Sequence, residues 1–175
     1  MCGHDPLMDM SNRARYLEIR RITPELELEL AEFFEVLANV SEDEFFAPHP
    51  FTMKQAARLA NYSGNDFYCL VLYKARPIAY GLLRGWDEGY AIPSLGIVVH
   101  HEYRSCGVGL ALTYYLHAVA VLKGAKSIRL RVNKNNHRAK SFYEKLGYQL
   151  NRDKDDDRFL IGLIELTRAM DNLKY

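Results

Sequence analysis

What the chain lacks narrows its class. Three cysteines, Cys2, Cys69 and Cys106, are scattered and odd in number. That argues against a disulfide framework, and no Cys-x-x-Cys or Cys/His spacing suggests zinc. The pattern suits a reducing, cytoplasmic setting. No run of about eighteen apolar residues is present, and the first ten residues hold no apolar stretch of signal-peptide length. Neither sign of charge dominates: Lys and Arg total 23, Asp and Glu 22, for a formal net charge of +1. With no long basic run, neither nucleic acid nor an anionic membrane is an expected partner. Repeats, linkers and low-complexity tracts are missing as well.

What is present is a 175-residue chain that is 49% hydrophobic, enough for one domain with a real core. Residues 1–15 read as a tail, disordered or added, and residues 16–175 as a single domain. Tyr16 to Arg21 reads as a strand. Thr23-Pro24 opens a helix that runs to about Asn39 on Leu26, Leu30, Phe33 and Leu37. Thr52, with Gln55 three residues on, resembles a capping box before a helix whose inner face is Met53, Ala56, Ala57 and Ala60. Phe67 to Tyr73, Ile78 to Arg84 and Ala91 to Val99 follow as strands. Arg76-Pro77 breaks the first pair, Gly85 to Gly89 turns the second, and Pro93 predicts a bulge or splay.

A helix then carries Leu112, Tyr115, Leu116, Val119 and Leu122 on one face and ends at Gly124. Ser127 to Val132 is a strand, Asn136 to Leu146 a helix, and Tyr148 to Leu150 and Phe159 to Leu166 are closing strands. The order β-α-α-β-β-β-α-β-α-β-β predicts an α/β (α+β) fold: a mixed, mostly antiparallel central sheet with helices on both faces.

The sharpest local signal is Leu95 to Val99 leading into Arg104-Ser105-Cys106-Gly107-Val108-Gly109 and a helix. A turn at a helix N-terminus exposes backbone N–H groups at the positive end of the dipole, an anion site. Gly107 and Gly109 let a diphosphate approach the backbone, and Arg104 can add a charge-assisted contact. No Gly-Lys-Ser/Thr follows and the third glycine of a dinucleotide loop is missing, so neither nucleotide motif fits. Taken alone, the segment also reads as an ordinary glycine-containing turn.

A second junction adds weight. Arg104, Gly107 and Gly109 match an R/Q-x-x-G-x-G/A loop, and Asn136, Ala139 and Tyr143 match N-x-x-A-x-x-x-Y. The run Tyr143-Glu144-Lys145-Leu146-Gly147-Tyr148 matches Y-E-K-L-G-F/Y. In this order the chain resembles the GCN5-related N-acetyltransferase (GNAT) superfamily, in detail over Leu95 to Tyr148 and in element order over most of its length.

The resemblance implies a sheet of about seven strands, splayed between the fourth and fifth, with about four helices. It implies acetyl-CoA as acyl donor, no metal, and a small-molecule or peptide amine as acceptor. Ile97, Val98 and Val99 would hold the pantetheine through their backbone. Arg104, Ser105, Cys106, Gly107, Val108 and Gly109 would take the pyrophosphate, and Asn136 and Ala139 would flank the arm. Tyr143 would protonate the departing thiolate; without the motif it is simply a core aromatic beside Phe142. A homodimer is a family-level expectation. A non-catalytic acyl-CoA sensor of the same fold is the alternative.

The attacking amine must lose a proton. Candidate bases are His49, Asp87, Glu88, His100, His101 and Glu102. His49, held between two prolines and among phenylalanines, reads either as part of a rigid core turn or as a pocket residue. Glu88 lies in a hairpin beside the expected acceptor cleft. Cys106 at a helix N-terminus could be nucleophilic, but direct transfer needs no acyl-enzyme.

Overall fold

The computed structural model describes residues 16–39, 45, 46 and 48–166. The expected tail, 1–15, and residues 167–175 of the expected domain lie outside them. β1 is Leu17–Arg21. Pro24–Leu26 forms a 3-10 turn, with proline at a position whose N–H would go unpaired in any case, and leads into α1, Glu27–Asn39. Leu30, Phe33, Phe34 and Leu37 are buried, the stripe expected of a helix on a sheet. α2, Met53–Ala60, starts where the Thr52 hydroxyl accepts the Gln55 N–H at 3.1 Å. Its buried face is Ala56, Leu59 and Ala60. Met53, expected inside, is 74% exposed because it occupies the first helical position, pointing away from the sheet.

The remaining elements are β2 Phe67–Tyr73, β3 Arg76–Arg84, β4 Ser94–Val99, α3 Val108–Leu122, β5 Ser127–Asn133, α4 His137–Lys145, β6 Gln149–Arg152 and β7 Phe159–Glu165. The seven strands form one mixed sheet in the order β1-β2-β3-β4-β5-β7-β6. Every neighbouring pair is antiparallel except β4 with β5. The expected seven-stranded sheet and four helices are therefore present.

Three local expectations need correction. β3 begins at Arg76, two residues early, and tolerates Pro77 because the register shifts opposite Val71 and Leu72; a bulge removes the need for the proline's missing N–H. The turn before it uses Lys74 and Ala75, both at positive φ, without the Asn-Gly signal that would have revealed it. Pro93 precedes β4 instead of interrupting it, and its carbonyl accepts the Arg129 N–H at 3.0 Å. Leu122 is 85% exposed; α3 packs through Leu112, Leu116 and Ala120.

Two apolar layers sandwich the sheet. α1 and α2 pack on Leu70, Tyr80, Leu82 and Val98. α3 and α4 pack on the opposite face, against Ile78, Leu83, Leu95, Ile128, Leu130 and Val132. Gly81 sets the approach of α3, since a Cβ there would lie 3.0 Å from methyls of both Leu112 and Leu116. The first layer includes no β5 residue, so among the described residues no helix packs on that face of β5.

The sheet opens between β4 and β5. β3 and β4 pair from Arg84↔Ser94 to Ala79↔Val99, but β4 and β5 pair only at Ser94↔Arg129 and Leu95↔Leu130. Beyond Leu95 the two strands part. The His100 N–H donates to the Ile78 carbonyl at 2.9 Å. Antiparallel alternation then directs the backbone groups of Gly96 and Val98 toward β3, and those of Ile97 and Val99 toward the gap.

Candidate active site

The gap is the floor of a two-part cleft. The larger part, a cavity of about 710 Å³, runs between the end of β4, the head of α3 and the head of α4. The smaller, about 310 Å³, lies toward the β3–β4 hairpin and β5. They meet at Phe45, Phe46, Ile97, Asn136, Ala139 and Tyr143, which line both.

The larger cavity is built mostly from backbone. Ile97 presents its N–H and carbonyl along the open edge. The Val99 carbonyl is taken by Arg104 Nε at 3.0 Å, which folds the arginine back across the loop. Ser105 sits at φ +62° and Gly107 at φ +85°. Left-handed residues two apart wrap the chain so that successive N–H groups face one side. The hand also explains glycine at 107, since an L residue there is strained. No side chain caps α3 at Gly107, and the Gly107 carbonyl already accepts from Ala111. The first-turn N–H groups thus have no capping side chain.

A Cβ built on Gly107 would meet no protein atom within 4 Å, and one on Gly109 only ordinary contacts of 3.6 to 4.0 Å. The protein leaves room over these glycines that it does not fill itself.

Charge matches this shape. Arg138 Nη2 donates to Ser105 Oγ at 3.2 Å across the cleft, so Arg104 and Arg138 both border the loop. Burial and Arg138 lower the Arg104 pKa without discharging it. Two guanidinium groups beside open amide donors favour an anion. Arg138 has no sequence signal of its own beyond its place inside the Asn136-to-Tyr143 motif.

α4 supplies the opposite wall. Asn136 Oδ1 accepts the Ala139 N–H at 3.0 Å and caps the helix, leaving the Asn136 amide NH₂ on the cleft side. Two turns on from Asn136, Tyr143 is 7% exposed and packs against Phe142 and Tyr148. Its hydroxyl makes no hydrogen bond among the described residues, and burial raises its pKa well above that of an ordinary phenol. It is a phenol that stays protonated at neutral pH and lines both cavities where they join.

Not every expected residue joins the cleft. Cys106 and Val108 do not line it. The Cys106 thiol donates to the Arg104 carbonyl at 3.4 Å and Val108 is buried in the core; only their backbone belongs to the loop.

His49 lies among Phe34, Phe46, Phe51 and Tyr80. Nδ1 bonds the Pro50 carbonyl at 3.0 Å, which makes it the protonated nitrogen, and Nε2 then accepts from Tyr80 Oη at 2.9 Å. Burial lowers its pKa. Both nitrogens are committed and the ring lines neither cavity, which is the geometry of a structural histidine and not of a base. His100 caps the 3-10 turn His101–Tyr103, and His100, His101 and Glu102 line neither cavity.

The β3–β4 hairpin is held from beneath. Asp66, 5% exposed, accepts the N–H groups of Gly85 at 2.8 Å and Trp86 at 2.9 Å. Asp87 accepts from Tyr62 Oη and from the Asn65 N–H. These bonds occupy Asp87 and leave Glu88 as the carboxylate that lines the smaller cavity. Among the described residues no group of three or more His, Cys, Asp or Glu is placed to hold a metal, and no helix is long and apolar enough to cross a membrane.

Comparison with known proteins agrees with this architecture. The acetyltransferase (GNAT) family model matches residues 34–148, from α1 to the turn after α4. The chain belongs to the GNAT family. The GNAT domain of PAT from S. lividans superposes with a TM-score of 0.73 at 18% identity, covering 85% of this chain and 90% of that one. A GNAT acetyltransferase from Streptococcus pneumoniae gives 0.70 at 18%, covering 86% and 99%. The PaiA N-acetyltransferase from Thermoplasma acidophilum, solved in complex with coenzyme A, gives 0.65 at 17%, covering 86% and 99%. At these identities the likeness establishes the GNAT fold. No curated protein is significantly similar in sequence.

Proposed function

We propose that this GNAT protein transfers an acetyl group from acetyl-CoA to a primary amine by direct attack. The observation that carries the reading is the continuity of the cleft. An open strand edge and an uncapped helix head line one cavity, an acid-bearing second cavity adjoins it, and Tyr143 lies at the join.

The residues present fit such a donor. The amides of Ser105 to Gly109, with Arg104 and Arg138, would hold the diphosphate. The outward N–H and carbonyl of Ile97, with the N–H of Val99, would bond the pantetheine amides as an added strand does, with Asn136 across from them. Acetyl-CoA supplies the activated acyl group. Tyr143 Oη, kept protonated by burial, holds the proton that the leaving thiolate needs. Glu88 accepts the proton of the incoming ammonium, directly or through water.

Thermal denaturation with added ligand, followed by thiol release on an amine panel, tests the reading. Acetyl-CoA should raise Tm where ATP and NAD do not, and at least one amine should release free thiol. A Tm rise without thiol release from any amine would instead make the protein an acyl-CoA sensor.

A further inference from the structure

Resting on that acetyl-transfer reading, we infer that the acceptor is a small amine that also carries an oxyanion, foremost a carboxylate as in a free amino acid. The observation is a row of polar side chains across three neighbouring strands of the smaller cavity. Arg84 on β3 pairs opposite Ser94 on β4, and Ser94 opposite Arg129 on β5. Directly opposed residues point to the same face, and adjacent strands lie about 4.8 Å apart. The two arginine stems therefore flank the serine over a span of about 10 Å. All three line the smaller cavity.

Neither Arg84 nor Arg129 forms an ion pair among the described residues. Arg84 is oriented by one bond, from Nη1 to the Pro48 carbonyl at 2.7 Å. Its other donors, and all those of Arg129, have no partner there. Arg131, two residues along the same face of β5, is different: Nε donates to Asp153 at 2.8 Å, Nη2 lies 3.3 Å from Asp156, and the group stacks 4.0 Å over Phe159. Among the described residues, one arginine of the cavity is thus paired with carboxylates and two are not.

Pro48 closes one end of the row, packing against Gly96, where a Cβ would lie 3.3 Å from its ring. Glu88 is the carboxylate lining the same cavity. A carboxylate between Arg84 and Arg129, with Ser94 Oγ as a further donor, gives charge-assisted recognition and leaves the amine to Glu88 and the Ile97–Tyr143 junction. A polyamine or another cation would meet two guanidinium groups that pair with no carboxylate among the described residues.

Initial rates with acetyl-CoA should be compared across free amino acids, the corresponding amino-acid amides, phosphoethanolamine and a diamine. The oxyanion-bearing acceptors should exceed the amides and the diamine in kcat/KM by at least tenfold, the effect of one charge-assisted bond. Amino acids above phosphoethanolamine make the oxyanion a carboxylate; the reverse order makes it a phosphate. Arg129→Gln, at an exposed strand position, should narrow the amino-acid-to-amide ratio by about tenfold through KM, while the Tm rise with acetyl-CoA persists. Turnover that favours the amides or the diamine, or an unaltered ratio in Arg129→Gln, overturns the inference and leaves acetyl transfer standing. Loss of any Tm response to acetyl-CoA in the unmodified protein overturns acetyl transfer itself, and this inference with it.

Discussion

The two halves of the cleft are made of different material. The larger is a backbone site: the open edge of β4, the left-handed turns at Ser105 and Gly107, and the first N–H groups of α3. The smaller is a side-chain site, with Arg84, Glu88, Ser94 and Arg129 drawn from two strands, a hairpin and a strand beyond the splay. Backbone donors are the same in any sequence, so the first half suits the constant part of a reaction. Side chains are replaceable one at a time, so the second half suits whatever varies between relatives.

That contrast can be broken most forcefully on the backbone side. Gly107→Val places a branched side chain where diphosphate would lie and at a φ that costs about 1–2 kcal/mol. Coenzyme A affinity measured by calorimetry should fall by roughly a hundredfold or more, with a lower Tm from the strain alone. Unchanged affinity would remove the loop from the binding site. Tyr143→Phe should come next: kcat down by about a hundredfold with KM for acetyl-CoA within about twofold. Equal turnover in the variant would reduce Tyr143 to packing.

On the side-chain side, Glu88→Gln should lower kcat/KM at neutral pH by roughly tenfold; full activity would leave deprotonation to water. The smallest effect concerns His49 and His117, the latter half-buried on α3 with Nε2 2.8 Å from Tyr148 Oη. Burial lowers both pKa values below their ordinary 6.5. The unfolded chain then binds more protons than the folded one as pH falls through 6.5, so stability is complete above that value and is lost progressively below it until the folded pKa is passed. Tm should decline on acidification from pH 7 toward 5, and His49→Gln should flatten that decline. An unaltered slope would show that the ring is not a buried neutral group.

The same division governed what could be read from sequence. Gly107, Gly109, Asn136 and Tyr143 announce themselves because backbone conformation and helix capping are local and leave residue types at fixed spacing. Element order was legible for the same reason. Boundaries moved most where tertiary context won: Pro77 excused by a bulge, Pro93 displaced before the strand. The Arg84–Ser94–Arg129 row was invisible because those residues are ten and then thirty-five positions apart, and only sheet register joins them. His49 is open from sequence for the same reason as that row. A histidine between prolines and phenylalanines reads as core or as pocket, and it is Tyr80, thirty-one residues away, that occupies its second nitrogen.

The central claim is that the parted edge of β4 and the head of α3 receive coenzyme A. An amide NMR titration of the full chain with coenzyme A reads those donors one by one. Shifts concentrated at Ile97, Val99 and Ser105 to Leu110 are the expected result. Shifts confined to other surfaces, with these amides unmoved at saturation, would contradict it.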